Sequence, residues 1–221
     1  MSISREAKLE QIAQRRQRDV ILVLENIHDP HNAAAICRSA DSFGIQHIWL
    51  ICETVPQWDL FELGKKSSAF TSKWMSFRTF NTTLDCLRTL KERDFSIYST
   101  ILDAEAESLL ETDFIESEKI ALIMGNEHEG ISEAVIEATD HKLFIPMTGF
   151  AQSLNVSVAT AVCLWELFRQ RDSSNTDYSI GEDEQGALLL AFEAKQHEKK
   201  LRRHEKKRKG RVKRIEREEN F

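Results

Sequence analysis

Six short apolar runs, continuous rather than alternating with polar residues, constrain this chain more than any other feature. They are Asp19–Leu24 (DVILVL), His47–Cys52 (HIWLIC), Trp74–Phe77, Phe95–Ser99, Lys119–Met124 and Lys142–Ile145. A strand buried on both faces has this pattern. Helical patterns alternate with the runs: Ala33–Phe43, stopped by Gly44; Thr82–Arg93, with Leu84, Leu87 and Leu90 at helical spacing; a stretch starting near Ser132; and Val156–Gln170. In the last of these, Val158, Val162, Trp165 and Phe168 are expected to face the core. Strands alternating with helices predict an α/β domain with a parallel sheet covered on both sides.

Outside that pattern, Ser4–Arg18 is helix-forming, with Arg15, Arg16 and Arg18 crowding its end, where cations suit the helix dipole. Gln57–Lys73 is irregular, Ser173–Gly181 looks like a linker, and Glu182–Arg217 is strongly helix-forming. The expected division is a basic helix over 1–18, a domain over 19–171 and a helical basic extension over 172–221. The net charge of −6 hides an asymmetry: Lys195–Arg217 carries 13 Lys and Arg against three Glu, a net +10, leaving −16 elsewhere. Such a segment can bind phosphates locally, because screening weakens repulsion from the acidic body beyond about 8 Å at physiological salt. A solvated charged helix is the alternative.

No apolar run approaches the roughly 20 residues that a membrane helix needs, and the N-terminus has no apolar signal region. The four cysteines, Cys37, Cys52, Cys86 and Cys163, show no C-x-x-C spacing. A reducing, cytoplasmic setting is expected, with no membrane partner.

The apolar runs 119–124 and 142–145 each end in a polar loop, Gly125–Gly130 and Pro146–Leu154, followed by a helical pattern. Loops at the carboxyl ends of parallel strands are where α/β proteins bind ligands. One shared pocket is therefore expected. Gly125–Gly130 has phosphate-loop spacing, but Ile131 stands where that motif needs its lysine, and no G-x-G exists for a dinucleotide. Without a G-x-S-x-G elbow, Ser153 or Ser157 has no hydrolase context. His28 and His31 have the spacing of a metal pair but lack a completing set, so no metal is expected.

The residues do resemble one family. Asn32 followed by Arg38, Gly125-Asn126-Glu127 with Gly130-Ile131-Ser132, Ile145-Pro146-Met147, and Ser153-Leu154-Asn155-Val156-Ser157 together resemble the three motifs of the SpoU-TrmH family. These are SPOUT-class RNA ribose 2′-O-methyltransferases. The resemblance covers about Asp19–Arg171, in matching order. It implies an α/β SPOUT fold with a C-terminal deep trefoil knot, a rare exception to unknotted chains. It also implies S-adenosylmethionine as cofactor and a homodimer. By matching position it assigns Thr100, Gly125, Ile145 and Leu154 to the cofactor, and Asn32, Arg38, Glu127, Ser153 and Asn155 to catalysis. In the family the counterpart of Arg38 is proposed as base or phosphate ligand; because a guanidinium stays protonated, a clamp on phosphate and oxyanion is the favoured role. Asn32, six residues before Arg38, falls on a different helix face and is expected to cap the helix start. The flanking helices resemble the branch that methylates guanosine 18 in the tRNA D-loop. Ribosomal RNA as substrate, or an inactive RNA-binding member, are the alternatives.

Overall fold

The computed structural model describes residues 4–57 and 74–197. Most of the irregular segment 57–73 and the extension beyond 197, with most of its basic run, lie outside the described residues. The chain forms two compact units, Arg15–Ser179, and Met1–Gln14 with Ile180–Phe221. The smaller unit contains α1 (Arg5–Gln14) and a helix over 182–197, and it buries Leu9, Ala13 and Phe192. The first helix thus ends earlier than its composition suggested. Arg16 instead lies buried, its Nη2 held 2.6 Å from Asp41 Oδ1. An ion pair and two carbonyls, those of Asp41 and Ile45, outweigh a solvent-exposed helix end for this side chain.

The larger unit is a seven-stranded parallel sheet. Its strands are β1 (Gln17–Glu25), β2 (Ile45–Ile51), β3 (Ser76–Phe80), β4 (Ser96–Thr100), β5 (Glu107–Ser108), β6 (Ile120–Met124) and β7 (His141–Phe144), in the order β3-β2-β1-β6-β4-β7-β5. The helices are α2 (Pro30–Ser42), α3 (Thr83–Glu92), α4 (Glu133–Ala138) and α5 (Val156–Ser173). Successive side chains of β1 go to opposite faces: Val20, Leu22 and Leu24 pack with Ile36, Cys163 and Leu167, while Ile21 and Val23 pack with Leu87, Leu90 and Val135. That is why its apolar run is continuous rather than alternating. Gly44 follows α2 at φ +79°, where a Cβ would lie 2.5 Å from the Arg15 carbonyl oxygen. Only glycine allows both the left-handed turn and that close approach.

One expectation about side-chain direction is corrected. In α5, Val158 (47%) and Trp165 (51%) are exposed, and the buried stripe is Val156, Thr160, Cys163, Leu164, Leu167 and Arg171. The polar members have internal partners: Thr160 Oγ1 donates to the Val156 carbonyl, and Arg171 donates to Gln17 Oε1 and the Arg18 carbonyl beneath the Tyr178 ring. Burial lowers the Arg171 pKa to about 10. In α3, Leu84 faces solvent, and Cys86 joins Leu87 and Leu90 inside.

Because the sheet is parallel, its strands end along one edge. Leu24 pairs with Met124, Ser99 with Ile123 and Thr100 with Leu143. The segments that follow β1, β4, β6 and β7 are thereby brought together.

Candidate functional site

At that edge a cavity of about 580 Å³ is lined by all four residues assigned to a cofactor, Thr100, Gly125, Ile145 and Leu154. Glu127, Ser153 and Asn155 line it as well, whereas Asn32 and Arg38 do not. Sequence reasoning missed Ile101 and Leu102, which share the wall with His128, Met147 and Gln152 of the two loops expected to form one pocket. Their signal was position: each stands in a segment leaving the carboxyl end of a strand. The volume suits a small organic ligand, and the mix of aliphatic side chains with a few polar groups is typical of such sites.

The loop after β6 is built for close approach. A Cβ on Gly125 would sit 2.1 Å from the carbonyl carbon of Gly130 and 2.3 Å from its oxygen. Asn126 and Gly130, the latter at φ +74°, bond to each other through their backbones, and Asn126 Oδ1 accepts from the amides of His128 and Glu129. Side chain and backbone together pin a tight loop with Glu127 at its tip. The loop's far end is fixed by the buried Glu25 carboxylate, which accepts from Ser132 N (2.8 Å), Ser132 Oγ (2.6 Å) and Thr83 Oγ1 (2.8 Å).

Three of the predicted catalytic residues form a chain of hydrogen bonds. Asn32 Nδ2 donates to Glu127 Oε1 (2.7 Å), and Asn155 Nδ2 donates to Asn32 Oδ1 (3.1 Å). The Glu127 carboxylate also accepts from the backbone amides of His28 (3.2 Å) and Asp29 (3.4 Å). Partial burial works against its charge, but the bonds from Asn32 and the backbone prevail and hold its pKa below the ordinary carboxylate value. Asn32 is not the cap of α2. Asp29 is, accepting from His31 N at 2.7 Å, and Pro30 opens the helix. This frees the Asn32 amide to bridge two loops. Asn155 caps α5, its Oδ1 accepting from Ser157 N and Oγ while its Nδ2 reaches Asn32.

Arg38 is exposed, and its guanidinium has no hydrogen bond or ion pair among the described residues. Ser153 is exposed on the cavity rim. The thiols of Cys37, Cys86 and Cys163 are pushed up to about 12 by burial, which removes them as nucleophiles. Among the described residues no group of three or more His, Cys, Asp or Glu is placed to hold a metal, and no helix is long and apolar enough to cross a membrane.

A model of the SpoU rRNA methylase family matches residues 19–165. Among curated proteins, the tRNA (guanosine(18)-2′-O)-methyltransferase of Thermus thermophilus is 37% identical over 170 residues, covering 76% of this chain and 84% of that one. Among solved structures, the Aquifex aeolicus TrmH/SpoU tRNA modifying enzyme superposes with a TM-score of 0.74 at 30% identity, covering 86% of this chain and 96% of that one. An AdoMet-bound rRNA methyltransferase from Sinorhizobium meliloti superposes with a TM-score of 0.63 at 26% identity, over 73% of this chain and 59% of that one.

Proposed function

The chain belongs to the SpoU rRNA methylase family, and from that premise we propose that it methylates the ribose 2′-hydroxyl of a tRNA guanosine, position 18 in the D-loop. The observation that carries this reading is the hydrogen-bonded set Asn32, Glu127 and Asn155 at the mouth of the 580 Å³ cavity. S-adenosylmethionine, bound in that cavity, supplies a methyl group activated on a sulfonium. The cavity fits it: the volume is ample, and the phosphate-binding lysine absent after Gly130 is not needed for a ligand without phosphate. Thr100, Gly125, Ile145 and Leu154 would hold it.

The other residues would position the acceptor. Asn32 and Asn155 leave amide and carbonyl groups at the cavity mouth to orient a ribose, and Ser153 on the rim would hydrogen-bond beside them. Glu127, saturated with donors and held ionised, anchors that array rather than removing the proton. Arg38 clamps the substrate phosphate and stabilises the developing 2′-oxyanion, since a guanidinium keeps its charge. Alignment of this kind accounts for most of the rate gain in such a reaction, with proton removal adding about 10²–10⁴-fold.

We also read the protein as a cytoplasmic homodimer with a shared site. Arg38 lies on a helix face different from that of Asn32, does not line the cavity and has no partner of its own among the described residues. On α5, which packs against α2, exposed Val158 and Trp165 present an apolar surface suited to a second copy. A knotted path over 145–155 is supported by this segment lining one cavity with the loop at 125–131 before α5 packs on α2. Residues 1–18 and 172–221 would serve as RNA-binding flanks of the 19–171 methyltransferase core. Deleting Lys195–Phe221 should then flatten the salt dependence of RNA binding.

The direct test is transfer of labelled methyl from S-adenosylmethionine to unmodified tRNA and, separately, to ribosomal RNA, with the product mapped. 2′-O-methylguanosine at position 18 is expected. Label in ribosomal RNA alone would overturn the substrate, and cofactor binding without any transfer would leave an inactive RNA-binding protein.

A further inference from the structure

Two histidines at the site have no part in the chemistry above. His28 leaves β1 and His128 stands in the loop after β6, a hundred residues later, yet their imidazoles meet edge to face, with centroids 6.0 Å apart and planes at 64°. Both residues are exposed, and neither ring is hydrogen-bonded among the described residues. Their placement is fixed by their backbones. His28 N donates to Glu127 Oε2, and His128 N donates to Asn126 Oδ1. The pair therefore flanks Glu127 on the rim, and it is held by the same bonds that hold the proposed catalytic array.

We propose that His28 and His128 form a stacking platform for the base of the nucleotide being methylated. This rests on the RNA methyltransferase reading. A ribose 2′-oxygen and its base are attached to neighbouring carbons, so a ribose held at Asn32 and Asn155 must place its base within a few ångströms of that centre. The surface available there is aromatic, exposed and not committed to other bonds. Aromatic faces accept nucleobases taken out of their own stack, and every base offers a π-face. In an edge-to-face pair one ring supports the other and leaves a face free. A metal role has no completing ligand among the described residues, and a purely structural role would not leave both rings in solvent. The platform would fix the position of the base, leaving its identity to be read by other groups.

Steady-state methylation of tRNA separates the possibilities. The double variant His28→Ala/His128→Ala should raise KM for tRNA by about 5- to 100-fold, the loss expected when one stacked base loses its platform. The smaller share should fall in kcat, and affinity for S-adenosylmethionine, measured by titration, should hold. His28→Phe/His128→Phe should restore most of the KM, and His28→Gln/His128→Gln should not. An unchanged KM in the alanine pair, rescue by glutamine instead of phenylalanine, or a loss confined to cofactor affinity would each overturn the platform. Failure of the wild-type protein to methylate any RNA would overturn the proposed function itself, so the two failures are distinct.

Discussion

The Asn32 side-chain amide donates to Glu127 Oε1 over 2.7 Å, tying the first turn of α2 to a loop 95 residues further on. The same carboxylate collects the amides of His28 and Asp29, so one acidic group closes the segment after β1 onto the loop after β6. Such bonds to a charged acceptor are about twice as strong as neutral ones. Glu127→Gln should reduce methyl transfer by about 10- to 100-fold, matching the roughly 1.5–3 kcal/mol of a hydrogen bond to a charged group. The pH dependence has a definite sign. The folded-state pKa of Glu127 lies below its ordinary value, so its stabilising effect is complete above that ordinary value and is lost as pH falls through the depressed one. Thermal unfolding should therefore show wild type above Glu127→Gln at pH 7 and the two converging as the solution is acidified. A gap that is constant with pH would contradict this.

Gly125→Ala should injure the cofactor site specifically. The new methyl would overlap the Gly130–Ile131 peptide, which is backbone and cannot rotate away. The loop must open, at a cost in the range of about 1–3 kcal/mol for overpacking. Since this loop lines the cavity, titration should show weakened binding of S-adenosylmethionine as well as a lower melting temperature. Unaltered affinity would mean that the loop tolerates displacement.

Arg38→Ala should do the reverse. The exposed guanidinium has no partner among the described residues, so stability should change by no more than about 0.5 kcal/mol, as for ordinary surface substitutions. Methyl transfer should nevertheless collapse, and Arg38→Lys should rescue little, because an ammonium cannot reproduce the planar two-pronged clamp on a phosphate. Full turnover by Arg38→Ala would remove this residue from the mechanism.

The sheet was legible because burial on both faces writes an unbroken apolar run, as in Val20–Leu24, and the site was legible because strand ends mark it. Direction was harder to read. α5 carries apolar residues on most of its sides, so the residues alone did not determine which stripe packs inward. The choice of Thr160 and Arg171 over Val158 and Trp165 depends on partners supplied by other segments. Asn32 looked like a cap because asparagine caps helices, yet Asp29 followed by Pro30 is the stronger start signal. The meeting of His28 with His128 has no local trace, since it depends on strand register between β1 and β6.

The exposed stripe of α5 leads to a test of the shared site. Phe43 lies against both Trp165 and Phe168 (ring centroids 5.9 Å apart in each case), forming an aromatic patch next to α2. Trp165→Glu should leave each chain folded but produce monomers in sedimentation, because an unpaired carboxylate would be buried where two copies meet. Those monomers should be inactive; active monomers would refute a shared site. A mixing experiment is sharper. Arg38→Ala and Asn155→Ala proteins, each inactive alone, are unfolded together and refolded. If Arg38 serves the partner's cavity, each hybrid dimer keeps one site with both residues intact, and random pairing should recover about a quarter of wild-type activity. If both residues serve the same chain's cavity, every site in every hybrid lacks one of them and activity stays absent.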